Sequence, residues 1–141
     1  MNKRPDVVFV CVHNAGRSQM AKALFNAQSK ELGLDLVADS AGTIPSENVH
    51  PVVVEVMSEL GHDLSGESGK LLTDDMIAHQ PAVITMGCAV DSQACPSLIM
   101  DDVVDWGLPD PKDQPIDMVR GVRDEIQQRV SELLDQMRAD H

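Results

Sequence analysis

The sequence predicts an α/β protein whose parallel sheet is covered by helices on both faces. Two observations predict it. Short apolar runs rich in β-branched residues read as strands buried on both faces. Segments with apolar residues spaced by threes and fours alternate with them, and that alternation implies a parallel sheet. At 141 residues the whole chain, 1–141, is expected to form one domain with a real core.

The elements follow in order. Val7 to Val12 reads as the first buried strand. Ser18 to about Leu32 reads as a helix with Met20, Leu24 and Ala27 on one face, ended by Gly33. Leu36 to Ala38 reads as a short second strand running into Ser40-Ala41-Gly42-Thr43. Pro51 to Leu60 is expected to be helical, closed by Gly61, with Val52, Val53, Val56 and Leu60 inward. Asp63 to Lys70 is a polar loop. Thr73 is expected to cap a brief helix reaching about His79, since Asp74 and Asp75 suit a first helical turn. Ala82 to Met86 and Ile99 to Val104 supply the third and fourth strands, and Pro109 to Pro115 a proline-rich loop. Ile116 to Met137 reads as the last helix, with Val119, Val122, Ile126, Val130, Leu133 and Met137 on its apolar face. There are no repeats or low-complexity segments.

Composition narrows the function. A formal net charge of −12 argues against nucleic acid or an anionic membrane as partner, and equally opposes long-range attraction of an anionic substrate. Any anion must therefore be held by a local positive field. Aromatic residues make up only 2% of the chain, with no Tyr, so eight Met and many Val, Leu and Ile must fill the interior. No apolar run approaches the roughly 18 residues of a membrane span. Asn2-Lys3-Arg4 followed by the first strand superficially resembles a signal peptide, but the apolar segment is short and polar His13-Asn14 follows it. A monomer in a reducing cytoplasm is the expectation.

The chemistry concentrates at the end of the first strand, in Cys11-Val12-His13-Asn14-Ala15-Gly16-Arg17-Ser18. A strand, a tight loop and a helix start make an anion cradle. Backbone N–H groups of such a loop converge on an oxyanion, and the next helix adds its free N–H groups and the positive end of its dipole. Gly16 is expected to supply conformational freedom at the tightest point, while Asn14 tolerates positive φ better than most residues. Arg17 can grip two oxygens with its planar fork. The same field favours the thiolate of Cys11, and Ser18 can donate a hydrogen bond to it. The plain alternative is a strand-end cysteine buried as a small hydrophobe beside a surface arginine. A bare Cys-x5-Arg spacing would not exclude it. The loop composition, the adjacent serine and the strand–helix context together favour the cradle.

The loop matches the pattern of the low-molecular-weight protein tyrosine phosphatase family. The longer string from Val8 to Ala21 resembles the arsenate reductases built on that phosphatase fold, and the resemblance runs from Val7 to about Leu134. It implies a four-stranded sheet of order 2-1-3-4 with the ligand beyond the carboxyl ends of the strands. Arsenate, or phosphate or sulfate as an analogue, would then lie in the loop, held by residues 12–18. Cys11, at the end of strand one, and Cys88, just after strand three, would meet at one rim. The Cys88-x6-Cys95 segment resembles the redox segment of thioredoxin-coupled members, which implies a three-cysteine relay re-reduced by thioredoxin, with no bound cofactor. Cysteine usage this low argues against a structural disulfide framework. A helical 88–95 segment would hold the two Cα atoms about 10.5 Å apart, whereas a disulfide needs them within about 7 Å. Such a bridge therefore requires a looped segment, ordered in the reduced form and looped out in the oxidised one. Asp110-Pro111 matches the family's Asp-Pro loop and makes Asp110 the expected proton donor, with Asp105 as a lesser competitor and Trp106 packing the loop base. Ser40 is expected to support the loop, as the Ser-Ala-Gly-Thr stretch does in the family.

Some relatives carry an acidic residue where this chain has Lys22 and bind potassium nearby, so no such cation is expected here. His50, His62 and His79 lack metal-ligand spacing, which leaves surface or core roles and no metal. Two other readings stand beside the reductase. One is a tyrosine phosphatase, although the three aromatic side chains offer little to grip a phenyl ring. The other is a non-catalytic thiol or arsenite sensor. The loop and the Ile84-to-Cys88 segment also resemble relatives that use a small thiol such as mycothiol with a glutaredoxin-like partner.

Overall fold

The computed structural model describes residues 5–11, 13–78, 81–86, 103–109, 111 and 113–139. Val12, His79, Cys88, Cys95 and Asp110 lie outside the described residues, as do residues 99–102 of the expected fourth strand. The elements are β1 (Val7–Cys11), α1 (Arg17–Glu31), β2 (Ala38–Gly42), α2 (Pro51–Ser58), α3 (Asp74–Ile77), β3 (Ala82–Thr85), β4 (Val103–Asp105) and α4 (Ile116–Ala139). All the strand pairs are parallel and the sheet order is β2-β1-β3-β4, as expected.

β1 runs through the middle of the sheet and is buried from Val7 to Cys11. Alternate residues feed two cores. Val7, Phe9 and Cys11 join Met20, Leu24 and Phe25 of α1, Val53, Val56 and Met57 of α2, and the apolar face of α4. Val8 and Val10 face Leu72, Met76 and Ile77 across the sheet. Phe9 stacks edge-on with Phe25 at 6.1 Å and meets Trp106 at 5.5 Å. Such aromatic pairs add about 0.5–1.5 kcal/mol beyond area burial, so Trp106 anchors the segment after β4 to the strand that carries Cys11.

Three boundaries depart from expectation. β2 begins at Ala38 rather than ending there, and Asp39-Ser40-Ala41-Gly42 are themselves strand. Pairing with β1, from Val7↔Ala38 to Cys11↔Gly42, overrides the low β-propensity of these residues. Asn26 of α1 fixes where the strand starts: its amide donates to the Ala38 carbonyl and accepts from the Ala38 N–H. α2 stops at Ser58, so Leu60 is 39% exposed and Met57 takes the inward place expected of it. Thr73 precedes α3 but makes no side-chain cap, and the helix is a single turn of four residues.

α4 contains a residue that its periodicity does not announce. Arg123 lies among the apolar positions, only 8% exposed. Its guanidinium donates to the Val56 carbonyl (2.9 Å) and to Glu59 (2.7 Å), while Arg120 forks onto the same carboxylate. The hydrogen bonds from Arg120 and then Arg123 pull the Glu59 carboxyl from its ordinary 4.5 down to about 2. A folded-state value below the unfolded one stabilises the fold above pH 4.5, and that contribution is lost as pH falls toward 2. Urea midpoints should therefore drop across that window, and Glu59→Gln should flatten the drop. An unchanged pH slope in the variant would exclude this linkage.

Candidate active site

The loop from Cys11 to Ser18 is held by hydrogen bonds of its own side chains. Asn14 takes the left-handed conformation (φ 49°) and is fully buried. Its Oδ1 accepts the backbone N–H of Lys70 at 2.9 Å, which fixes its amide group as the donor. That Nδ2 donates to Ser18 Oγ at 2.7 Å. With its oxygen already accepting, the Ser18 hydroxyl is free to donate to Cys11 Sγ, 2.8 Å away. Gln19 braces the chain from behind, donating to the Asn14 carbonyl, to Asn14 Oδ1 and to the Ser68 carbonyl. Asn14, Ser18 and Cys11 are thus joined in one run of hydrogen bonds, and each bond polarises the next. Cys11 is 5% exposed and, among the described residues, forms no disulfide.

The loop is also tied outward. The His13 carbonyl accepts from Ser46 N–H and the Ala15 carbonyl from His50 N–H, both at 2.9 Å. His13 Nδ1 lies 2.9 Å from the Ile44 carbonyl; since a carbonyl only accepts, Nδ1 carries the proton. Arg17 opens α1 and donates one N–H to the Leu108 carbonyl at 2.7 Å. That bond clamps the segment after β4 to the loop and leaves the rest of the guanidinium fork for a ligand. Gly16 caps α1 and has no side chain to satisfy the first-turn N–H groups, which suits them to an anion.

Gly16 does not take the left-handed conformation. Its φ is −146°, and Asn14 alone of the loop's described residues takes positive φ. A side chain there would crowd its neighbours: a Cβ would stand 3.0 Å from Pro111 Cγ and 3.4 Å from His50 Cδ2. Pro111 therefore rests on the loop, and Asp110 is its neighbour along the chain.

The other expected residues fall as follows. Ser40 pairs with Phe9 in β1, one inward position before the Cys11↔Gly42 pair. It is 1% exposed, and its hydroxyl makes no hydrogen bond among the described residues. Asp105 accepts from Thr85 Oγ1 at 2.9 Å and from the Gly107 N–H, so it holds the turn after β4. Lys22 lies 3.6 Å from Asp39, which Lys70 also binds at 2.7 Å. Burial raises the Asp39 carboxyl, but the Lys70 and Ser40 N–H hydrogen bonds and the two lysine charges outweigh it and leave it below its ordinary value. Among the described residues no His, Cys, Asp and Glu gather into a group able to hold a metal ion, and no helix is long and apolar enough to cross a membrane.

A small pocket opens above the thiol, lined by Cys11, His13, Ala15, Gly16, Arg17 and His50. Sequence reasoning did not foresee Gln19, Lys70 or His50 here. Gln19, one residue past the loop, was the only one of these with a local signal; the others reach the loop only through the fold.

Comparison with known proteins agrees with this geometry. The chain matches the family model for low molecular weight phosphotyrosine protein phosphatase over residues 6–141. It is 40% identical to a putative arsenate reductase from Halobacterium salinarum, over 94% of this chain and 92% of that protein. Among solved structures it resembles the YwlE arginine phosphatase, in a variant with a phosphorylated active-site serine, at a TM-score of 0.82 and 27% identity, covering 96% of this chain and 97% of that one. It also resembles a thioredoxin-dependent arsenate reductase from Corynebacterium glutamicum, at a TM-score of 0.74 and 38% identity, covering 97% of this chain and 63% of that one. With its parallel sheet, its Cys11-to-Ser18 loop at the end of β1 and this match along nearly its whole length, the chain belongs to the low molecular weight phosphotyrosine protein phosphatase family.

Proposed function

We propose that the protein reduces arsenate to arsenite. The carrying observation is the register of β3 against β1. Val10 pairs with Thr85, and the Met86 N–H donates to the Val10 carbonyl, so β3 leaves the sheet beside Cys11. Cys88 follows Met86 by two residues, a chain reach of at most about 7 Å. A phosphatase has no use for a second thiol there. The similarity to proteins named as arsenate reductases supports the same reading.

The reaction runs as follows. Arsenate enters the loop against the backbone N–H groups and Arg17. The Cys11 thiolate attacks arsenic, an As–S bond forms, and an arsenate hydroxyl departs as water with a proton from Asp110. The Cys88 thiolate then attacks the Cys11 sulfur. The electron pair of the As–S bond passes to arsenic, As(V) becomes As(III), and arsenite leaves behind a Cys11–Cys88 disulfide. Cys95 attacks the Cys88 sulfur, releases the Cys11 thiolate and moves the disulfide to Cys88–Cys95. The dithiol of a thioredoxin reduces that pair.

The phosphatase reading is weaker because no Phe, Tyr or Trp is among the described residues lining the pocket. Cys95→Ser tests the relay. The variant should release about one arsenite per chain and then stall with Cys11 and Cys88 joined; sustained thioredoxin-coupled turnover by this variant rules the relay out.

A further inference from the structure

Among the described residues lining the pocket, all but one belong to the loop and the start of α1; the exception is His50. Its place is fixed from both sides. Its N–H donates to the Ala15 carbonyl at 2.9 Å, and its own carbonyl accepts from Val53 and Val54, so it caps α2 just ahead of Pro51. Its ring lies against the loop, with Cδ2 3.4 Å from the point where a Cβ on Gly16 would stand. The half-buried imidazole is therefore a polar wall held in register with the loop, at the positive end of a second helix.

The charge balance gives such a wall a purpose. The chain carries a net charge of −12, so an anion is retained only by donors gathered at the site. Arg17 already gives one N–H to the Leu108 carbonyl. A donor outside the loop would reach an oxygen that the loop N–H groups leave unbound.

We propose that His50 is an oxyanion-binding residue, a ring N–H donor that orients a tetrahedral inorganic oxyanion such as phosphate or arsenate before Cys11 attacks. The proposal rests on the loop being an oxyanion site and is independent of the redox relay. Its role is binding and orientation, so its loss should fall on affinity rather than on the chemical step.

The test is calorimetric titration of inorganic phosphate into the reduced full-length protein and its His50→Leu, His50→Gln and Arg17→Ala variants. Arsenate kinetics are measured alongside. His50→Leu keeps the bulk and removes the donor. It should weaken phosphate binding and raise the arsenate KM by roughly tenfold, the size of one hydrogen bond to a charged group. Its kcat should stay within about twofold of the parent. His50→Gln, which retains an N–H donor, should recover most of the loss. Wild-type affinity in His50→Leu, or His50→Gln binding no better than His50→Leu, would overturn the proposal. Failure of the parent protein to bind phosphate, or equal binding by Arg17→Ala, would instead overturn the anion-site reading and this proposal with it. A lost relay with normal phosphate binding would leave the role of His50 standing.

Discussion

Cys11→Ser should abolish arsenate turnover, a fall of about a million-fold if it matches the loss of a nucleophile in other covalent catalysts. The reason lies in where the sulfur sits. It is almost fully buried, at the end of a central strand and of a hydrogen-bond run through Asn14 and Ser18. A serine hydroxyl there meets the same donors but is far less acidic than a thiol and cannot join a disulfide. Because the loop N–H groups and Arg17 are untouched, phosphate should bind the variant about as tightly as the parent. Reduction measured by arsenite release, with binding measured by calorimetry, separates the two effects. Residual turnover within a hundredfold of the parent would place the nucleophile elsewhere.

Arg17→Ala should lower kcat/KM by about a hundred- to a thousandfold, the usual consequence of removing one preorganised oxyanion donor. In the proposed reaction Arg17 has two tasks that a lysine cannot share. One N–H holds the Leu108 carbonyl, and the rest of the planar fork remains for two oxygens of the anion. Arg17→Lys restores charge without the fork, so it should recover less than a tenth of the lost activity. Steady-state kinetics with arsenate check both variants. Full rescue by lysine would show that charge alone matters and that the clamp on Leu108 is incidental.

The parts of this molecule that sequence discloses are those where local pattern and tertiary need coincide. Val7 to Cys11 is apolar throughout because it is buried on both faces, and the loop is readable because an anion cradle needs a glycine, an arginine and a hydroxyl in a short span. β2 is not legible in the same way: Ala38 to Gly42 has no strand-like composition and is strand because it pairs with β1 and is started by Asn26. Leu36, apolar and buried, draws attention to the wrong residues. Gly16 invites a conformational argument, yet its absent Cβ makes room for Pro111. Arg123 sits on a helix face that periodicity marks as apolar, because the Val56 carbonyl of α2 and Glu59 just past that helix await it. His50 and Lys70 act on the loop through backbone hydrogen bonds, which any residue type can make and which no residue pattern reveals.

The same division explains why cradle and relay are separate questions. The cradle is local in sequence and serves phosphoryl and arsenate chemistry alike. The relay depends on β3 delivering the chain beside Cys11, and on the two cysteines that follow. The direct measurement is NADPH oxidation with arsenate as oxidant, coupled through thioredoxin and thioredoxin reductase and compared with glutaredoxin–glutathione and mycothiol systems. Saturable, arsenate-dependent oxidation through thioredoxin, with one arsenite formed per NADPH, is the predicted result. Turnover only with a small-thiol system, or aryl phosphate hydrolysis without arsenate reduction by any donor, would contradict it.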